Sequence, residues 1–242
     1  METLAILIPI KNNAQNVEKA LQSIEQQTAF LNNKYNYKII LIDNDSKDNL
    51  QEKIFKYKNL IYLFCKTPGI VAALNTGLFY IMNMPEIKYI ARIDSDDYWV
   101  SNKIEKQFDY MLNNPKIDIC GTAIRFIKDG FFNEWHYGES HDQIMADLDI
   151  GQNPIAHSSV IYKKEIFLKC GGYDESYKYA EDLDLWMRAS KHFIFHNMQD
   201  VLLHYSNEKK LDKYYEEQKE NVKKIYLRKL IDKNQSIQSN QI

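Results

Sequence analysis

Cysteine is scarce in this chain, at 3 of 242 residues. Cys65, Cys120 and Cys170 lie far apart and are odd in number, matching neither a zinc pattern nor a disulfide framework, so a reducing, cytoplasmic setting is expected. Charge of one sign is lacking too. With 31 Lys and Arg against 33 Asp and Glu the net charge is −2, which leaves no electrostatic footprint for nucleic acid. No apolar run is long enough to cross a bilayer. Residues 4–10 are apolar, but the run is short, contains Pro9 and has no basic segment before it, so it is expected to be a strand, not a signal peptide. Internal repeats, low-complexity linkers and a clear domain boundary are all missing. What remains, 45% hydrophobic and 26% charged residues, is ordinary for a soluble globular protein with a real core.

The elements alternate through the first half. Strands are expected over 4–9, 37–42, 60–64 and 89–93, with helices over about 16–27, after Ser46 and over 69–83. Val17, Leu21 and Ile24 mark one helical face, and Pro68-Gly69 marks a helix start. Such alternation up to about Leu112 argues for a doubly wound, largely parallel sheet. After Pro115 the pattern turns antiparallel: strands over 117–127 and 131–137 about a turn at Asp129-Gly130, a short helix over 142–150, a strand over 158–162, a helix over 163–169, a turn at Gly171-Gly172 and a helix over 181–191. Residues 208–233 read as a charged helix. It either packs across the domain or makes a reversible contact with an anionic membrane surface or a partner through Lys223, Lys224, Arg228 and Lys229. Residues 234–242 are polar and expected to fray.

The stretch Tyr89-Ile90-Ala91-Arg92-Ile93-Asp94-Ser95-Asp96-Asp97-Tyr98-Trp99 passes from an apolar strand into three carboxylates. If the extended geometry persists, Asp94 and Asp96 project to the same side. Two like charges so close raise one pKa unless a cation neutralises them. Oxygen donors without Cys or His favour Mg²⁺ or Mn²⁺ over Zn²⁺. A turn with helix-capping Asp residues is the plain alternative. Ligands of open α/β sheets gather at carboxyl ends of strands, where this triplet sits.

Five blocks then resemble, in order, inverting glycosyltransferases of family 2. Ile8-Pro9-Ile10-Lys11-Asn12 is similar to a Pro-x-x-Asn strand end, and Leu41-Ile42-Asp43-Asn44-Asp45-Ser46-Lys47-Asp48 to Val-Asp-Asp-Gly-Ser-x-Asp. Gly69-Ile70-Val71-Ala72-Ala73-Leu74-Asn75-Thr76-Gly77 resembles the helix-opening block, and Asp94-Ser95-Asp96-Asp97 the metal-binding Asp-x-Asp. Gly171-Gly172-Tyr173-Asp174 with Ala180-Glu181-Asp182-Leu183-Asp184-Leu185-Trp186-Met187-Arg188 resembles the block that supplies the base. The likeness covers about 4–206.

The resemblance implies a GT-A-type doubly wound mixed sheet in one domain over 1–206. Residues 1–114 would be its nucleotide-sugar-binding half and 115–206 its acceptor and catalytic half, with 207–242 a charged helix and tail. It implies a metal-dependent, non-processive enzyme moving one sugar, a hexose or N-acetylhexosamine, from a nucleotide-diphosphate sugar, UDP-linked by expectation, to a hydroxyl on a glycan, lipid-linked saccharide or protein. Pro9, Lys11, Asn12, Asp43, Gly69, Asn75, Asp94 and Ser95 would hold the nucleotide, with Asp43 accepting from a base N–H. Asp94 would face ribose or metal, and Asp96 would be the principal ligand of Mn²⁺ or Mg²⁺. Asp182 would be the general base, with His157, Gly172, Glu181, Trp186 and Arg188 at the acceptor side or in support. Asp182 could instead cap its helix. Trp186 could be core, Arg188 a structural ion-pair partner and His157 a locally bonded histidine.

Departures from the pattern are specific. Asn44-Asp45 replaces Asp-Gly. The Tyr-Arg-x-His run has become Tyr205-Ser206-Asn207-Glu208, with His204 four positions too early. The Gln-x-x-Arg-Trp of processive synthases is missing. These motivate an alternative, a non-catalytic nucleotide-sugar-binding scaffold of the same fold. A sugar-1-phosphate nucleotidyltransferase would need a Gly-rich loop after the first strand, where Lys11-Asn12-Asn13-Ala14 stands.

Overall fold

Strand β1 (Thr3–Ile10) is apolar almost throughout because both its faces are covered. In a computed structural model of the protein, which describes residues 1–128, 131–206 and 212–239, Ala5 and Leu7 point into one core and Leu4, Ile6 and Ile8 into the other, all fully buried. The parallel part of the sheet adds β2 (Asn36–Asp43), β3 (Leu60–Phe64) and β4 (Ile87–Arg92), in the order β3-β2-β1-β4. Helices α1 (Ala14–Glu25), α2 (Thr28–Leu31), α3 (Leu50–Ile54) and α4 (Ile70–Met82) connect these strands. With α1 and α4 in different cores, the sheet is wound on both sides.

The second half extends the same sheet. β5 (Tyr98–Trp99), α5 (Lys103–Asn113), β6 (Ile119–Lys128), β7 (Phe131–Trp135), α6 (His141–Asp149), β8 (Ile161–Lys163), α7 (Glu165–Cys170), α8 (Glu181–Ala189), β9 (Phe195–Tyr205) and α9 (Asp212–Ser239) follow in turn. The order continues β4-β8-β6-β9-β5, with β7 paired to β6. β8 runs antiparallel to β4 and β6, β9 parallel to β6, and β5 antiparallel to β9. The antiparallel β6–β7 pair lies where alternation placed it; Asp129 and Gly130, expected to turn there, lie outside the described residues.

Two expectations are corrected and one strand was missed. The strand expected over 158–162 begins with a 3₁₀ turn, His157–Ser159, and only Ile161–Lys163 is extended. β9 was not legible, because Gln199-Asp200 interrupts its apolar run where the register with β6 slips. Helix α9 runs from Asp212 to Ser239, beyond the expected end at 233, while residues 208–211, where the charged helix was expected to begin, lie outside the described residues.

Helix α9 packs, as one of its two readings held. Ile225 is fully buried, and Gln218 and Asn221 donate to the carbonyls of Tyr179 and Lys178. Arg228 pairs with Asp184, Lys229 with Asp149 and Lys224 with Glu220. No described helix is long and apolar enough to cross a membrane.

Candidate active site

The carboxyl ends of β1 and β2 are sewn together by their turns. Asn12 has φ +50°; its N–H donates to Ser46 Oγ at 2.9 Å, and its Oδ1 accepts from the Lys47 N–H at 2.7 Å. The Ala14 N–H donates to Asp48 Oδ2 at 2.8 Å. Pro9 is buried opposite Ile42, whereas Lys11 is exposed. Asp43 is buried, accepting from the Ser46 N–H at 2.8 Å and the Tyr62 hydroxyl at 2.7 Å. One donor per oxygen leaves lone pairs for a further N–H. Burial and Asp43 push the Tyr62 phenol up to about 12.

The Asn44-Asp45 departure has a structural use. Asp45 itself takes the left-handed conformation, φ +62°, that a glycine would take more cheaply. Asn44 reaches across to the loop before α4, donating to the carbonyls of Cys65 at 3.2 Å and Thr67 at 2.6 Å and accepting from the Gly69 N–H at 2.8 Å. Gly69, at φ +119° and ψ 149°, has a backbone only glycine adopts readily.

Strand geometry stops at Arg92. The Asp97 N–H donates to the Asp94 carbonyl at 3.2 Å, closing a turn. That turn, and not an extended alternation, gathers the three carboxylates: one oxygen each of Asp94, Asp96 and Asp97 lies within 4.8 Å of the others. The Arg92 guanidinium, 1% exposed, forks the Asp94 carboxylate, with Nη1 at 2.8 Å from Oδ2 and Nη2 on Oδ1. Asp94 therefore offers only its outward lone pairs to a metal or a ribose hydroxyl. The Asp94 N–H donates to Ser158 Oγ at 2.7 Å, and Asn13 Nδ2 to Ser95 Oγ at 2.8 Å. Asp97 Oδ1 accepts from the Ser206 N–H at 2.7 Å, while Oδ2 is buried without a hydrogen-bond partner. Burial, then Asp94, pushes the Asp97 carboxyl up to about 8. An all-oxygen set of three crowded carboxylates fits a hard divalent cation, which would relieve that crowding.

The amino end of α8 faces this turn. Asp182 Oδ2 accepts from Asn153 Nδ2 at 2.7 Å, and Oδ1 from the Leu183 N–H at 2.9 Å. Glu181 is 6% exposed; burial, then Asp182, pushes its carboxyl up to about 7, while Arg92 opposes. His157 Nε2 lies 2.7 Å from the Tyr173 hydroxyl. Asn75, Gly172, Trp186 and Arg188 instead build the support. Asn75 clamps the Tyr173 backbone, donating to its carbonyl at 2.8 Å and accepting from its N–H at 3.0 Å. Gly172 has φ +84°, and a Cβ there would lie 2.5 Å from Phe167. Arg188 donates to the Gly172 carbonyl at 2.7 Å and pairs with Asp184, and Trp186 is fully buried.

Asp96 borders a cavity of ≈380 Å³ that Pro9 and Asp43 do not line. The Asn13–Ser95 hydrogen bond joins the turn after β1 to the acidic turn.

Arg92, Lys103, Gln107 and Asn153 escaped the sequence. Arg92 carried a signal, a lone charge in a strand covered on both faces. Lys103 and Gln107 have no motif around them, yet both are fully buried, donating to the Ser159 carbonyl at 3.0 Å each. They fix the turn whose Ser158 holds Asp94, and burial brings Lys103 down to about 7. Arg92 is buried but the Asp94 side chain is 30% exposed, so losing the fork removes charge-assisted hydrogen bonds without stranding a fully buried charge. Arg92→Met is therefore expected to cost roughly 1.5–3 kcal/mol in denaturant unfolding. A loss below about 1 kcal/mol would show that Asp94 does not depend on Arg92.

A parallel β3-β2-β1-β4 half, an antiparallel second half and an acidic turn at their junction define a GT-A-type fold. The chain belongs to glycosyl transferase family 2, whose model matches residues 5–171. The O-antigen biosynthesis glycosyltransferase WbnJ of Escherichia coli is 33% identical over 160 residues, 60% of each chain, so this chain spans well under the full length of that relative. Among solved structures, S. aureus TarS 1-349 in complex with UDP superposes with a TM-score of 0.68 at 18% identity, covering 90% of this chain and 63% of that one. The mannosyltransferase PcManGT from Pyrobaculum calidifontis, in complex with GDP-Man and Mn²⁺, does so with 0.64 at 15% identity, covering 88% and 59%. The family match ends before α8, so the roles of Glu181 and Asp182 rest on geometry.

Proposed function

We propose that the chain is a metal-dependent inverting glycosyltransferase that moves a single sugar from a nucleotide-diphosphate donor, UDP-linked, to a hydroxyl of a glycan, lipid-linked saccharide or protein. The observation that carries this is the turn at 94–97, three carboxylate oxygens within 4.8 Å and one buried oxygen unpartnered. Asp96 and Asp97, with the outward lone pairs of Asp94, would hold Mn²⁺ or Mg²⁺. When bound, that cation neutralises the charge that grows on the leaving diphosphate. Asp43 and the turns at Asn12 and Gly69 bind the nucleoside. Asp182 takes the proton of the attacking hydroxyl, and Asn153 holds its carboxylate in place. A base that activates the acceptor on the face opposite the leaving group gives inversion. The arrangement of Asp182 with Asn153 favours the enzyme over the scaffold. A cytoplasmic setting stays part of the proposal; Cys65 and Cys120 are buried free thiols and Cys170 a half-buried one. A peripheral membrane contact through α9 would rest on Lys223, the one cation of its four with no ion pair among the described residues.

The test is a screen of UDP- and GDP-sugars with Mn²⁺ and Mg²⁺ for slow donor hydrolysis, which needs no acceptor. Metal-dependent release of the diphosphate from one donor is expected. Tight nucleotide binding without hydrolysis or transfer across the panel would favour the scaffold.

Glu181 adds a pH signature. Its folded value of about 7 exceeds the usual 4.5, so folding takes up a proton between them. Its stabilising contribution is complete below the lower value and lost as pH rises through the upper. Asp97 and Lys103 titrate in the same window with their own linkage, so the Glu181 share is the difference between wild type and Glu181→Gln. In metal-free protein the wild type should lose on the order of 1–3 kcal/mol more than the variant between about pH 5 and 8. An unchanged slope in chemical denaturation would contradict this.

A further inference from the structure

We infer that the cavity bordered by Asp96 is an acceptor subsite for a sugar that carries an acidic group, a carboxylate or a phosphate. The inference rests on the proposed glycosyltransferase activity. The cavity, ≈380 Å³, lies between α1, β5, β9 and the β6–β7 pair. That volume is at the small end for ligand pockets. Tyr98, Phe132 and Tyr205 give it aromatic walls, and Lys19 and Arg125 bring cations into it.

Charge accounting selects the ligand. Arg125 is matched across the strands by Glu134, with Nη2 at 2.6 Å and Nε at 3.1 Å from Oε1. Asp96 is offset by the cation that it would hold. Lys19 Nζ lies 3.6 Å over the Tyr98 ring and has no carboxylate within 4.0 Å among the described residues. Among the described lining residues it is the cation without an ion-pair partner, and its side chain is exposed to solvent. His204, stacked on Tyr98 with centroids 4.4 Å apart, is held below its ordinary pKa by burial and then by Arg125 and Lys19, so both cations reach the space that this ring borders. An anion there meets a lysine with no competing partner.

Position selects acceptor over donor. Pro9, Asp43 and Gly69 do not line the cavity. Apart from Lys19 and Asp96, the residues that do line it come from β5, the β6–β7 pair and the end of β9, all after the acidic turn.

The test is ligand-observed NMR on the full chain, saturated with UDP and Mg²⁺, titrated with methyl β-D-glucuronide, methyl β-D-glucoside 6-phosphate, neutral methyl β-D-glucoside and inorganic phosphate. At low salt one or both acidic glycosides should bind roughly tenfold tighter than the neutral one, the scale of one charge-assisted contact. Lys19→Gln should erase that preference, and Phe132→Ala should weaken all three glycosides alike. Equal binding of the neutral glycoside overturns the inference. So does inorganic phosphate binding as tightly as the acidic glycosides, which marks a bare anion site, or displacement of those glycosides by excess UDP, which gives the cavity to the donor. If the wild type binds no UDP with Mg²⁺ or Mn²⁺, it is the glycosyltransferase reading that has failed.

Discussion

Asp96→Ala should abolish sugar transfer, lowering kcat/KM by roughly 10³-fold or more, which amounts to about 4 kcal/mol of lost transition-state stabilisation. The size follows from what its neighbours are doing. Asp94 is forked by Arg92, and Asp97 spends one oxygen on the Ser206 N–H. Asp96 is the member of the trio that lines the cavity. Its loss should remove the main hold on the cation, leaving the fold intact because the side chain is only half-buried. Transfer and donor hydrolysis, measured across a Mn²⁺ titration with a circular dichroism check of folding, decide it. Activity within tenfold of the wild type would remove Asp96 from the metal site.

Asp182→Asn should lower kcat by roughly 10²- to 10⁴-fold with little change in donor affinity, as expected when a general base alone is lost. The carboxamide is nearly isosteric and can still accept from Asn153 and the Leu183 N–H through its oxygen, but it cannot take up a proton. Asn153→Ala should show a smaller fall, since it removes only the orienting contact. Steady-state kinetics with the donor varied at fixed acceptor separates the two. An Asp182→Asn enzyme of undiminished kcat would leave that residue as a helix cap.

Much of the N-terminal half was legible because its strands are covered on both faces. Apolar runs such as Leu4-Ala5-Ile6-Leu7-Ile8 admit few other structures, and each such strand ends in polar residues that the topology brings to one edge. The acidic turn was legible as chemistry but not as geometry. A turn at Asp94, whose carbonyl accepts from the Asp97 N–H and whose N–H donates to the Ser158 hydroxyl, gathers carboxylates that strand alternation would have spaced differently. The half after Pro115 was harder to read. β9 slips register, and Asn153 reaches Asp182 across 29 positions without any motif around it. Lys103 and Gln107 have no motif around them either, and only tertiary burial against the 157–159 turn reveals them as supports of Asp94.

Calorimetric titration of UDP into the wild-type chain, with Mn²⁺ and then with excess chelator, probes the acidic turn most directly. Micromolar binding that is lost in chelator, and absent from Asp96→Ala with Mn²⁺ restored, is the expected result. UDP binding of equal strength in chelator, or unaltered in Asp96→Ala, would mean that these carboxylates do not hold a cation against the diphosphate.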